Sequence, residues 1–111
     1  MTPTEQRVAL AEWMGWSCIE TAEGSFVYGY PPEGTIVGNT IELPDFLNDL
    51  NAVHVAEKKL NPAEGARFYW MLAQVVNPLQ MADKIEFDLV HATAPQRCEA
   101  LLRCLNLWKE T

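Results

Sequence analysis

The sequence predicts an α+β fold, a single-domain sandwich in which a small, mostly antiparallel β-sheet is layered with about four helices. Two observations carry that prediction. Three helix starts are written in the same capping chemistry, and two short apolar runs flank a Gly-Ser turn in the pattern of a hairpin. Local hairpins combined with segregated helices favour an α+β arrangement over alternating βαβ units.

Thr2-Pro3-Thr4-Glu5, Asn61-Pro62-Ala63-Glu64 and Thr93-Ala94-Pro95-Gln96 each place a capping side chain three residues before Glu or Gln. The cap accepts from the amide three residues on, and the Glu or Gln reaches back to the cap's own N–H. Proline costs little at the first or second helical position, where the N–H has no intrahelical partner. Helices are therefore expected at about 3–14, 62–76 and 94–106, with Gly15 supplying the positive φ after the first. A fourth, at about 49–60, takes Asn48 or Asp49 as its cap and gathers Ala52, Val53, Ala56 and Leu60 on one face. In the last helix Cys98, Leu101, Leu102 and Leu105 form an i, i+3, i+4, i+7 stripe.

Strands are expected at 16–20 and 26–30, paired across Gly24-Ser25. Pro31-Pro32-Glu33-Gly34 reads as a turn, and 35–43 as a third strand interrupted at Gly38-Asn39. Residues 84–91 alternate apolar and polar side chains with period two and read as a strand with one wet face.

Composition bounds the rest. A length of 111 residues matches one domain, and 49% hydrophobic content with four Trp, four Phe and three Tyr supplies a core. The longest apolar run, Phe68 to Ala73, is far short of the ~18 residues that a membrane span requires. The N-terminus lacks the apolar stretch of a signal peptide. Three cysteines without CxxC spacing fit a reducing compartment better than a disulfide framework, so a cytoplasmic location is expected.

The formal net charge is −7. Residues 1–57 carry nine acidic side chains and one basic, Arg7, whereas 58–111 carry six acidic and seven basic. Phosphate-driven binding needs clustered Lys and Arg, and Lys58-Lys59 is the only adjacent pair, so direct nucleic-acid binding is not expected. The acidic half keeps the protein soluble, or meets a basic surface on a partner.

The candidates for chemistry are few. His54 and His91 lack HxxxH or CxxC neighbours, and there is no GxGxxG, P-loop or GxSxG. Asp45 and Asp49, four apart, and Glu86 and Asp88 read first as solvated faces. Cys98 and Cys104 lie ~9 Å apart along one helix and ~240° around it, too far to bridge.

Two places suggest binding. The turn Asn48-Asp49-Leu50-Asn51, beside Phe46, offers three hydrogen-bonding side chains where a helix begins, either to hold a small polar ligand or to pin the preceding loop. On helix 62–76, Phe68, Leu72 and Val75 define the buried face, which leaves Trp70 on the other side near Arg67 and Gln74. An exposed Trp flanked by Arg is a frequent binding hot spot, though a Trp packed under a loop or against a second copy is equally ordinary.

Residues 44–52, with His54 and 56–58, and residues 92–97, 99–103 and 107–108 together resemble the central and C-terminal signatures of small phage and prophage proteins of the alpha-beta-alpha sandwich type. Met14-Gly15-Trp16 is similar to the exit of that family's first helix. The family commonly carries Gly where this chain has Asn106, a residue that also tolerates the left-handed region. The resemblance implies fold and phage origin. It does not specify a reaction; the function expected is that of an accessory protein of the bacterial host cytoplasm acting by binding, on a host protein or a defence system, without catalysis or cofactor. Sequestration of a small nucleotide signal, in a pocket or at a subunit interface, is the alternative. A small enzyme using Asp45, Asp49 or His54 is the second.

Overall fold

A computed structural model describes residues 1–21, 26–32, 40–79 and 85–110. The element order is α1 (Pro3–Trp13), β1 (Ser17–Thr21), β2 (Val27–Tyr30), β3 (Ile41–Glu42), α2 (Leu50–Glu57), α3 (Pro62–Val76), α4 (Ile85–Val90) and α5 (Ala94–Cys104). The fold is α+β, with a three-stranded antiparallel sheet in the order β1-β2-β3.

All three capping boxes form. Glu5 N donates to Thr2 Oγ1 over 3.1 Å while Thr2 N donates to Glu5 Oε1 over 2.8 Å. Asn61 with Glu64 and Thr93 with Gln96 repeat the arrangement. These reciprocal bonds hold the Glu5 carboxyl below the usual range, chiefly through the Thr2 backbone N–H.

Gly15 ends α1 at φ +103°, a conformation that favours glycine, and a Cβ there would lie a tight 3.1 Å from Pro32 Cβ. The hairpin follows, with Thr21 opposite Val27 and Ser17 opposite Tyr30. An irregularity between Ser17 and Glu20 places Cys18 at φ +52°. On the inner face Val27 and Leu43 are buried.

α5 is the central element and packs against α1, α2 and α3. Cys98, Ala100, Leu101 and Leu102 have no exposed surface. α1 is tied to the end of the sheet by Arg7, which is 8% exposed and donates through Nε to Pro44 O over 2.9 Å and through Nη2 to Leu43 O. After α5 the chain turns back at Asn106, φ +60°, and both Leu107 N and Trp108 N return to Leu102 O. Asn106 thus adopts the left-handed region, which asparagine tolerates.

Two expectations need correction. Residues 85–90 form a helix, α4, and not part of a strand over 84–91, which makes five helices among the described residues. Ile85 and Leu89 are four apart and face inward together, while Glu86, Phe87 and Val90 are exposed. The same alternating letters thus satisfy a short amphipathic helix. The third strand is also shorter than 35–43, spanning Ile41–Glu42. Its expected beginning, with the turns at Gly24-Ser25 and Glu33-Gly34, lies outside the described residues. No described helix is long and apolar enough to cross a membrane.

Candidate functional site

α3 stands as a ridge between two grooves. Phe68 and Leu72 turn into the core, 8% and 3% exposed. Trp70 lies two residues from each, about 160° around the helix, and is 59% exposed. Arg67, one turn earlier, is exposed on the same side, so the structure brings these two predicted residues together. Tyr69 is 60% exposed on the flank toward α4.

The groove between α3 and the end of α5 encloses about 620 Å³ and is lined by Met71, Gln74 and Val75 on one side and Glu99, Arg103 and Trp108 on the other. Arg103 donates through Nε to Glu99 Oε2 over 2.9 Å and through Nη2 to Glu110 Oε1 over 3.4 Å. Its guanidinium carbon lies 4.8 Å from the Trp108 ring centroid. The cation is thus occupied by two carboxylates and an aromatic face of its own chain.

The groove on the opposite flank, between α3 and α4, encloses about 530 Å³. Phe68, Leu72 and Leu89 lie low in it, Tyr69 and Val90 stand at its sides, and Glu57 with Arg97 also line it. Arg97 Nη1 donates to both Glu57 oxygens over 3.1 and 3.4 Å, and Nη2 to Leu89 O over 3.4 Å. His54 Nδ1 approaches the same carboxylate at 3.4 Å. The buried Arg97 Nε has no hydrogen-bond partner among the described residues, a cost partly offset by the strength of the charged pair.

The Asn48–Asn51 turn is organised by itself. Asp49 caps α2 by accepting from Asn51 N over 2.9 Å. Asn48 Nδ2 donates to both oxygens of Asp45 over 3.1 Å. Phe46 has no exposed surface and belongs to the core, while Asn51 is exposed. A cleft of about 270 Å³ beside Asn48 is lined by Arg7, Phe26 and Asp45, with no residue of α3. The predicted site residues therefore fall into two separate groups, the turn and the α3 ridge.

Burial pushes the Cys98 thiol up to about 12, and burial likewise raises Cys104, with Arg67 beside it pulling the other way. Cys104 Sγ donates to Glu64 O over 3.3 Å. These thiols belong to the packing of α5. Among the described residues no group of three or more His, Cys, Asp or Glu side chains is placed to hold a metal ion.

Two features escape a reading of the sequence. Glu57 and Arg97 are forty residues apart, and no spacing announces their pairing. The Arg103–Trp108 stack has one available signal, Asn106, because a left-handed residue after α5 folds Trp108 back onto it.

Comparison with known proteins finds no match: no family model, no curated protein and no solved structure.

Proposed function

We propose that this protein acts by binding, through the α3 ridge centred on Trp70 and Arg67, and without turnover of a substrate. The reading follows the sequence resemblance to phage and prophage proteins, and takes the target to be a host protein engaged as an accessory or counter-defence measure. The observation that carries it is the placement of Trp70. A large aromatic side chain stands 59% exposed on a helix whose opposite face already fills the core. Burying it needs a partner from outside the described chain, and aromatic residues beside Arg are the usual energetic centres of interfaces.

The test is affinity capture from a bacterial lysate by the native protein and by Trp70→Ala in parallel, with thermal melts of both. The expected result is a captured protein that Trp70→Ala loses at an unchanged melting temperature. Identical captured sets would reject the reading.

A further inference from the structure

We propose that the groove between α3 and α4 takes an amphipathic helical segment of a protein partner, one that presents apolar side chains to the groove and Lys or Arg beside them. This inference rests on the binding reading above and assigns the chemistry of the partner.

The apolar part follows from the walls. Phe68, Leu72 and Leu89 form a nearly buried base, 8%, 3% and 7% exposed, whereas Tyr69 and Val90 remain 60% and 75% exposed above it. Tyr69 and Leu72 are about one helical turn apart, as are Glu86 and Val90 across the groove. Side chains repeating at i, i+3 and i+4 on an incoming helix match that spacing.

The helical form follows from the backbone. Both walls are helices, and among the described residues no edge strand lines the groove. An occupant finds no row of free N–H and C=O groups to pair with, so a segment that satisfies its own backbone hydrogen bonds is favoured.

The sign of the charge follows from the ion pairs. Among the described residues lining the groove Arg97 is the only cation, and it is already bound by Glu57 and by Leu89 O, with 15% of its side chain exposed. Glu86 lines the same groove and makes no ion pair with a described residue. α4 itself carries Glu86 and Asp88 and no basic residue, in a chain of net charge −7. Among the described residues the lining therefore carries one more negative than positive charge, which attracts flanking Lys or Arg on an incoming helix and repels Asp or Glu.

The test uses two labelled helical peptides with identical Leu positions at i, i+3, i+4 and i+7, one flanked by Lys and one by Glu, titrated with the protein while fluorescence anisotropy is read. The Lys peptide is expected to bind at least tenfold more tightly than the Glu peptide, with the difference shrinking as salt rises. Val90→Asp, at an exposed position, is expected to weaken the apolar contact of both peptides at least tenfold, and Glu86→Lys to remove the preference for Lys. Trp70→Ala is expected to leave peptide binding unchanged. Equal affinity for the two peptides, or affinity indifferent to Val90→Asp, overturns the proposal. Self-association abolished by Val90→Asp overturns it too, because a second copy is then the occupant. Loss of lysate capture with Trp70→Ala alongside peptides that do not bind would retain the ridge and reject the groove.

Discussion

Arg97, in the first half of α5, reaches Glu57 at the end of α2 with Nη1 3.1 Å from Oε1, and the same guanidinium touches the carbonyl of Leu89 in α4. One side chain thereby joins three helices at the base of the groove beside α3. Both partners are largely withdrawn from solvent, with side chains 15% and 16% exposed. Removing one leaves the other charged and poorly solvated. Arg97→Ala is expected to lower the free energy of unfolding by about 2–3 kcal/mol, below the cost at a fully buried pair because some solvent reaches both groups. Replacing both, as in Arg97→Met with Glu57→Leu, should restore most of the loss. Urea denaturation of the single and double variants checks this, and equal destabilisation in both would contradict it.

Two substitutions probe how α5 begins and what it buries. Thr93→Ala removes the acceptor for Gln96 N and should cost about 1 kcal/mol. Leu101, with no exposed surface, should cost about 2–5 kcal/mol when truncated to alanine. Leu105 lies on the same stripe, but it is the C-cap and only half-buried, so Leu105→Ala should cost clearly less than Leu101→Ala. Denaturation midpoints that rank the two leucines the other way would contradict this packing of α5.

Alkaline conditions should expose the burial of Cys98. Its thiol is held up to about 12 in the fold, against 9.0 for the free group. A raised folded value means the stability contribution is complete below pH 9, and is lost as pH rises through 9 toward 12, because the unfolded chain releases that proton first. The expected slope from Cys98 is about 1.4 kcal/mol per pH unit across that window. Unfolding free energies measured from pH 8 to pH 10.5 should fall more steeply for the native protein than for Cys98→Ala, and identical slopes would contradict the assignment. Cys104, raised in the same direction, contributes to the slope that both proteins share.

Much of this architecture is legible in the sequence because its signals are local. A capping box uses four consecutive residues, and all three form as written. The α5 stripe and the exposure of Trp70 also follow from helical spacing alone. The segment 85–90 does not, since a six-residue window with Ile85, Phe87 and Leu89 alternating against Glu86 and Asp88 fits either period. Tertiary packing decides there, by burying Leu89 together with half-buried Ile85 against the neighbouring helices. That ambiguity also hides the groove. Read as a strand, 84–91 puts Leu89 and Val90 on opposite faces, and only as a helix do both line one wall with Tyr69 across from them. The sequence of the Asn48–Asn51 turn also admits two readings, a ligand site and a pinned loop, of which the pinned loop is the more ordinary. The bonds from Asn48 to Asp45 and from Asn51 N to Asp49 are those that pin a loop where a helix begins.

The central claim is that α3 binds with the face it does not bury, and Trp70 tests it most directly. The decisive measurement is the free energy of unfolding of Trp70→Ala set beside its affinity for the captured partner. A contact residue at 59% exposure predicts a folding change within about 0.5 kcal/mol and a binding loss of about 2 kcal/mol or more. A folding loss of about 3–5 kcal/mol, as truncating a core tryptophan produces, with partner affinity unchanged, would contradict it.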